Sequence, residues 1–132
     1  MAHGLHGVPC MTQARIALGK TGEDLACREL ERRGYAIVAR RYRRRSGELD
    51  IIARDGETTV FVEVKTRRGR DFGAAGEAVH NLKRRRVVRL ALEYLVRHRL
   101  TGRPCRFDVV SIHLDGDRPV IDVVQNAFGL DR

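Results

Sequence analysis

The stretch that decides the fold runs Gly47-Glu-Leu-Asp-Ile-Ile-Ala-Arg54, passes through Asp55-Gly56, and returns as Glu57-Thr-Thr-Val-Phe-Val-Glu-Val-Lys65. Two runs rich in β-branched residues, separated by Asp-Gly, predict a β-hairpin with a two-residue turn. If Asp55-Gly56 is the turn, Asp50 opposes Phe61 across the two strands. The same register places Glu48 opposite Glu63.

This register gives the hairpin one charged face and one apolar face. Side chains alternate between faces along a strand, and directly opposed residues share a face. The charged residues Glu48, Asp50, Glu63 and Lys65 therefore lie on the same side of the predicted sheet. The other side is apolar and consists of Leu49, Ile51, Ala53, Val60, Val62 and Val64. A register slip of one residue would mix the two faces, so the apolar face supports the register.

Three carboxylates and one ammonium on one face need compensation. Opposed like charges destabilise a strand pair, so Glu48 against Glu63 predicts nearby arginines or a hard cation. Mg²⁺ is typically held by one or two carboxylates together with water and phosphate oxygens, which predicts a metal site here. The alternative is a solvent-exposed sheet face of mixed charge, although Ile52 and Phe61 on the same side argue against full exposure.

The composition describes a small basic domain. The chain has 132 residues and a formal net charge of +9, which favours a polyanionic partner. Arginine-rich runs at residues 40–45, 67–70 and 83–86 favour nucleic acid over a merely solvated surface. There is no apolar run long enough for a membrane span and no apolar signal-peptide core. Three scattered cysteines argue against a disulfide framework, so we expect a cytoplasmic protein without a membrane partner.

The hydrophobic periodicity predicts an α/β domain with a mixed central sheet flanked by helices. Residues 1–11 show no periodicity and are expected to form a flexible tail before a single domain over residues 12–132. Met11 is an alternative to Met1 as the first translated residue. The expected elements are a helix over 12–33, a strand over 35–39, an arginine-rich loop, the hairpin, a helix over 75–100, and strands over 106–114 and 120–124.

Two charged residues lie on core-facing helical stripes. Glu23 is seven residues from both Ile16 and Leu30, so its carboxylate needs a buried partner. The alternative is a later helix start, with Thr21 as the cap and Glu23 in a solvated first turn. Lys83 extends the apolar stripe of the second helix by one turn. Its ammonium would either reach out to solvent or point at the carboxylates or at a phosphate bound there.

Four motifs occur in a recognisable order: Gly19-Lys-Thr-Gly-Glu23, Gly47-Glu-Leu-Asp50-Ile-Ile-Ala, Phe61-Val-Glu-Val-Lys65-Thr-Arg and Phe107-Asp-Val-Val. Over residues 12–128 the chain resembles the YraN family of small bacterial proteins, which is uncharacterised in function and classed as endonuclease-like. That family is similar to the archaeal Holliday-junction resolvases within the PD-(D/E)XK nuclease superfamily. The resemblance implies a restriction-endonuclease-like α-β-β-β-α-β-β fold and a divalent-metal-dependent DNA endonuclease.

The resemblance also implies roles for individual residues. Asp50 and Glu63 would hold Mg²⁺ or Mn²⁺ together with the Val64 carbonyl. Glu23 would complete the metal site, as the first-helix acid does in the resolvase-like branch. Lys65 would orient the attacking water or stabilise the charge that develops on the phosphate. The implied catalytic residues are therefore Asp50, Glu63 and Lys65.

The expected nucleic-acid contacts come from the arginine runs and from two further polar residues. They are Ser46, Lys83, Arg43, Arg44, Arg45, Arg67 and Arg84. The implied substrate is duplex or branched DNA, with RNA as a further candidate, and a homodimer follows by analogy with the resolvases. The alternative function is non-catalytic nucleic-acid binding on the same fold, because a fold does not fix a function.

Overall fold

The part of the chain that a computed structural model describes, residues 11–68 and 76–128, contains two helices and five strands in the predicted order. Side chains are described over residues 21–68 and 83–128. The elements are α1 Met11–Arg32, β1 Ala36–Arg44, β2 Gly47–Asp55, β3 Thr58–Arg67, α2 Gly76–Arg97, β4 Cys105–His113 and β5 Val120–Phe128. Residues 1–10 of the predicted tail lie outside the described residues, and Met11 already belongs to α1.

The strands form one mixed sheet in the order β1-β2-β3-β4-β5. All neighbouring strands are antiparallel except β3 and β4, which are parallel. Parallel neighbours need a crossover connection, and α2 provides it. The predicted α/β class with a mixed central sheet is therefore confirmed.

The two helices contribute to two separate hydrophobic cores. In one core Leu30 of α1 packs with Ile51 of β2, and in the other Leu90 of α2 packs with Ile52. Ile51 and Ile52 are consecutive and both fully buried, as expected for a strand in the middle of a sheet with both faces covered. The described parts of both predicted helical stripes therefore face the sheet.

The hairpin turn lies one residue later than predicted. Gly56 and Glu57 form the turn, and Asp55 pairs with Thr58 as the last residue of β2. Gly56 has a φ of 62°, which only glycine adopts readily at the first central position of such turns. Asp55 stays in the strand, where its Oδ2 accepts a hydrogen bond of 2.9 Å from Arg106 Nη2.

This turn shifts the hairpin register by two residues. Phe61 opposes Ile52 instead of Asp50, and the predicted opposition of Glu48 to Glu63 is wrong. Because side chains alternate with a period of two, a shift of two residues does not by itself move a side chain to the other face. The paired residues as far as Ile51 and Val62 therefore keep their predicted faces.

The predicted arginine-rich loop is wrong, because β1 continues through it to Arg44. Tyr42 pairs with Leu49 and Arg43 pairs with Glu48, so β2 holds this segment by backbone hydrogen bonds. The arginines remain in contact with water because β1 is an edge strand of the sheet. Charged side chains on an exposed edge also discourage pairing with other chains.

The last strand is longer than predicted and ends at Phe128. The ring of Phe128 stacks on that of Phe107, with 4.8 Å between the ring centroids. The predicted strand ended at Val124, half of which is exposed to solvent. The extension is stabilised by an aromatic contact that the alternation pattern does not reveal.

A buried polar network centres on Asp108, which is 0% exposed. Its carboxylate accepts hydrogen bonds from the Tyr35 hydroxyl at 3.0 Å, from Arg106 Nε at 3.0 Å and from the Asn126 backbone N–H at 2.9 Å. Gln125 Nε2 donates a further hydrogen bond of 2.7 Å to the Tyr35 hydroxyl. The network joins β4, β5 and the residue that precedes β1.

The helix α1 approaches β3 closely at Gly22. A Cβ atom at this buried position would lie 1.9 Å from Thr66 Oγ1 and 3.1 Å from Thr66 Cβ. Only glycine allows this approach without a shift of one of the two elements. Gly22 thereby sets the position of the next residue, Glu23, relative to the sheet.

We predict that Asp108→Ala lowers the free energy of unfolding by about 3–5 kcal/mol, because Arg106 loses its buried counter-charge. Tyr35 and Asn126 also lose an acceptor. Urea denaturation followed by circular dichroism measures the effect. The matched control is Asp122→Ala, at an exposed position of β5. Equal stability of the two variants would contradict the structural role of Asp108.

We also predict that Gly22→Ala lowers the free energy of unfolding by about 1–3 kcal/mol, because the added methyl group overpacks the contact with β3. Thr66→Ala in the same chain should restore part of the loss, since it removes the Oγ1 atom that the methyl group meets. A double-mutant cycle with both single variants measures the coupling. Strictly additive effects would show that the two residues are not in contact.

Candidate active site

The backbone ladder between β2 and β3 runs from the turn to the pair Ile51–Val62, and Asp50 lies directly beyond it. There the Asp50 carboxylate replaces a backbone acceptor, since its Oδ2 accepts a hydrogen bond of 2.8 Å from the Val64 N–H. The N–H and C=O of one strand residue point to the same edge, so the Val64 carbonyl also faces this gap. The gap therefore presents a carboxylate and a carbonyl oxygen together.

The strand β2 also changes face at Asp50. Leu49 packs in the core under α2, whereas Ile51 packs in the core under α1. The prediction that Leu49 lies on the same face as Ile51 is therefore wrong. The neighbouring strand changes face at the same level, where Arg41 has a φ of 53° and Tyr42 packs in the α2 core. A paired irregularity of β1 and β2 thus places Asp50 between the two faces of the sheet.

Glu63 lies on the α2 face, by alternation from Phe61, and is only 4% exposed. Its Oε1 forms an ion pair of 3.1 Å with Lys83 Nζ. Of the two alternatives for Lys83, the structure shows the one in which its ammonium points at the carboxylates. Leaving a buried carboxylate without a cation would be costly, and the Lys83 ammonium supplies that cation.

The pKa of Asp50 is set by its burial and by the charged and polar groups around it. Burial raises the pKa of the Asp50 carboxyl, and the negative charges of Glu63 and Glu23 raise it further. The Val64 N–H and the charge of Lys83 oppose this shift without cancelling it. Negative charges that raise the pKa of Asp50 make an added cation favourable beside it.

Lys65 follows Glu63 on the same face of β3 and is half-buried. Burial lowers the pKa of its ammonium, the charge of Glu63 opposes that shift, and the charges of Arg67, Arg84 and Lys83 lower the pKa further. Among the side chains that the structure describes, none forms an ion pair with Lys65. The Lys65 ammonium is close enough to Glu63 to feel its charge, and no described carboxylate holds it in an ion pair.

Glu23 contacts arginines of β1. Arg41 Nε lies 3.2 Å from both of its carboxylate oxygens, and Arg40 Nη2 lies 3.5 Å from Oε1. The alternative with Thr21 as a helix cap is wrong, because α1 begins at Met11. The sequence predicted a partner for Glu23 and missed its identity, since Arg40 and Arg41 were expected in a loop.

The predicted metal ligands are only partly brought together. Over residues 21–68 and 83–128, no group of three or more His, Cys, Asp or Glu side chains is placed to hold a metal ion. Glu23 is directed at its arginines, which leaves Asp50, Glu63 and the Val64 carbonyl as the candidate ligands. Two carboxylates, completed by water and substrate phosphate, are a typical ligand set for Mg²⁺.

Ser46 lies away from this site. Its hydroxyl donates a hydrogen bond of 2.7 Å to Glu93 Oε2 on α2. Glu93 follows Lys83 by ten residues, about 15 Å along the helix axis. Ser46 therefore connects the turn between β1 and β2 to α2 through this hydrogen bond. It lies apart from Asp50 and Glu63.

The arginines next to Ser46 make their own contacts. Arg43 Nε lies 3.2 Å from Glu48 Oε1, and the Arg44 guanidinium lies 5.2 Å from the centre of the Tyr42 ring. Arg45 is exposed in the turn. These three predicted nucleic-acid contacts form one group at the end of β1, on the solvent side of the edge strand.

Arg67 and Arg84 belong to a second group, close enough to Lys65 to lower its pKa. The Arg84 guanidinium lies 5.2 Å from the centre of the Phe128 ring, and its buried Nε has no hydrogen-bond partner among the described residues. Arg67 is half-buried at the end of β3. The predicted contacts Arg67, Arg84 and Lys83 therefore lie near Lys65, and Lys83 also pairs with Glu63, whereas the first group lies at the end of β1.

No helix in the described ranges is both long and apolar enough to cross a membrane.

Comparison with known proteins identifies close relatives over most of the chain. A protein of Nocardia farcinica, named UPF0102 protein, is 54% identical over 113 residues, which are 85% of this chain and 89% of the relative. A UPF0102 protein of Symbiobacterium thermophilum is 52% identical and covers 84% of this chain and 95% of its own. One from Moorella thermoacetica is 45% identical over 89% of this chain and the whole of its own.

The match to a family model, described as Uncharacterised protein family UPF0102, extends over residues 22–112. This range contains Glu23, Asp50, Glu63, Lys65 and Lys83, and it begins at the glycine that contacts β3. The motifs that resembled the YraN family lie almost entirely within it. By its family model and its relatives, the chain belongs to the UPF0102 family.

Proposed function

We propose that the protein is a divalent-metal-dependent endonuclease that hydrolyses phosphodiester bonds in duplex or branched DNA. The observation that carries the proposal is the gap at the end of the β2–β3 ladder. There the Asp50 carboxylate is held on the Val64 N–H, beside buried Glu63. Lys65 follows on the same face without an ion pair among the described side chains. A purely structural role would not require an uncommitted ammonium beside two carboxylates.

In this proposal Asp50, Glu63 and the Val64 carbonyl hold the metal ion. When bound, Mg²⁺ or Mn²⁺ activates water and neutralises negative charge on the scissile phosphate. The hydrogen bond from Val64 fixes the Asp50 carboxylate through Oδ2, and Oδ1 makes no hydrogen bond with the described residues. Asp50 is therefore oriented before any ligand binds, which reduces the cost of assembling the site.

The two lysines take different roles. Lys65 would orient the attacking water or stabilise the charge that develops on the phosphate, since no described carboxylate holds its ammonium. Lys83 offsets the buried charge of Glu63 through their 3.1 Å ion pair and adds positive charge where a phosphate would approach. Glu23 would join the metal only after leaving Arg41, so it is a secondary ligand in this scheme.

We predict that Asp50→Asn abolishes metal-dependent nicking. Asparagine retains an acceptor for the Val64 N–H and removes the charge that holds the metal. Lys65→Ala should slow cleavage by about 10²–10³-fold, the loss typical of one electrostatic contact in a transition state. The assay compares duplex, flap and four-way DNA with Mg²⁺ or Mn²⁺.

The matched control for this assay is Asp122→Asn, a charge removal at an exposed position of β5. Thermal unfolding should show that all three variants are folded. Wild-type protein that cleaves none of these substrates with either metal would refute the enzyme proposal. Cleavage that persists with EDTA or in Asp50→Asn would refute the proposed metal ligands.

A second candidate function is non-catalytic nucleic-acid binding. It is favoured by the ion pairs of Glu23 with Arg41 and of Glu63 with Lys83, because these carboxylates already have cations without a metal. In this case the arginines would bind DNA or RNA and no cleavage would follow. The nicking assay separates this candidate from the first.

Both candidates predict binding that depends on salt. For duplex DNA the logarithm of the binding constant should fall with the logarithm of salt concentration, with a slope of about −0.9 per neutralised phosphate. Arg45→Ala should make that slope shallower by about one, because its exposed guanidinium would be a phosphate contact. Fluorescence anisotropy with labelled duplex measures the slope.

The control for salt dependence is Arg32→Ala, because Arg32 is paired with Glu29 near the end of α1. This variant should leave the slope unchanged. Binding that does not weaken with salt would contradict both candidate functions.

A further inference from the structure

A groove of about 670 Å³ lies between the end of β1 and the second half of α2. Its floor includes Val88, Leu92 and Val96, which follow one another at steps of four residues and share one side of the helix. Val88 is buried, but Leu92 is 45% exposed and Val96 is 68% exposed. The helix therefore presents a continuous apolar stripe that leads from the core out into solvent.

Positive charge borders this stripe. Arg85, Arg89 and Arg97 of α2 line the groove, together with Arg44 from β1. Glu93 is the carboxylate among the lining residues, and it accepts the hydrogen bond from Ser46. The groove thus combines an apolar floor with a strongly cationic rim.

The groove is separate from the candidate active site. Val96 lies thirteen residues after Lys83, about 20 Å along the helix axis. Neither Leu92 nor Val96 has a part in metal binding or phosphate contact. Two exposed aliphatic side chains in the groove therefore need an explanation other than the proposed nuclease chemistry.

We propose that this groove binds an acidic amphipathic helix of a partner protein. Apolar side chains of such a helix, spaced at i and i+4, would cover Leu92 and Val96, as in other helix-in-groove complexes. Its carboxylates would pair with the bordering arginines, which gives the complex both its orientation and its rate of association. The proposal goes beyond the nuclease function and does not depend on it.

Two other occupants fit the chemistry less well. A nucleic-acid backbone would satisfy the arginines but would leave Leu92 and Val96 against phosphates and water. A second copy of this chain would bring a further net charge of +9 to a groove that four arginines and one glutamate already line. Only a ligand with both carboxylates and apolar side chains matches both features of the groove.

The test uses the full chain and a fluorescein-labelled synthetic helix with leucines at i, i+4 and i+8 and glutamates at most other positions. A second peptide of the same composition has the leucines distributed around the helix. We expect the first peptide to bind, and Leu92→Ser and Arg89→Glu each to weaken its binding at least tenfold in fluorescence anisotropy. The scrambled peptide should bind at least tenfold more weakly.

Matched controls separate the groove from general effects of surface change. Val124→Ser alters an aliphatic side chain of similar exposure on β5, and Arg103→Glu reverses an exposed charge beyond the end of α2. Both variants should bind the peptide as the wild type does. Asp50→Asn should also bind it normally, so that the outcome is independent of nuclease activity.

Several outcomes would overturn the proposal. Equal binding of the two peptides would show that charge alone attracts them. An unchanged affinity in Leu92→Ser would show that the apolar floor is not used. A Leu92-dependent dimer in sedimentation experiments would assign the groove to a second copy of the chain. Binding of a short DNA duplex to the arginines of the groove, without binding of the peptide, would assign the groove to nucleic acid.

Discussion

The hydrogen bond from the Val64 N–H to the Asp50 carboxylate is the constraint on which the site depends. A sheet normally satisfies that N–H with a carbonyl of the neighbouring strand, and here the ladder ends one residue earlier, at Ile51. A backbone donor next to the core must find an acceptor. The Asp50 carboxylate is that acceptor, so β2 and β3 can separate here without leaving the Val64 N–H unsatisfied. The separation exposes the Val64 carbonyl beside the carboxylates of Asp50 and Glu63.

The remaining charges follow from the cost of burying carboxylates. Glu63 is buried, and its carboxylate pairs with Lys83 of α2, the crossover helix between β3 and β4. Glu23 is similarly held by Arg41 on the edge strand. Each of these two glutamates is thus paired with a cation from a different element, which ties α1 and α2 to the sheet. A metal ion would add to these cations at Asp50, the acid without such a partner among the described residues.

The class of fold and the shared face of Glu63 and Lys65 could be predicted from the sequence because both depend on periodicity. Alternation tolerates a register error of two residues, so the faces of the paired residues as far as Ile51 and Val62 remained correct when the turn did not. The change of face at Asp50 breaks the alternation, which put Leu49 on the wrong face. Hydrophobic periodicity carries no information about contacts between segments that are distant in the chain. Glu23 and Arg41 approach only once an edge strand forms, and Asp108 depends on Tyr35, which is 73 residues away in the chain.

The net charge of +9 is best understood through its distribution. One set of cations neutralises the carboxylates, as Lys83 and Arg41 do, and is already used in the folded chain. A second set consists of Arg67 and Arg84 near Lys65. These cations are partly buried, repel one another and have few described acceptors, which favours the binding of an anion. A third set borders the apolar stripe on α2, where phosphates would gain nothing from Leu92. A single polyanion does not account for all three sets, which is why we propose two ligands of different chemistry, a nucleic acid and an acidic helix.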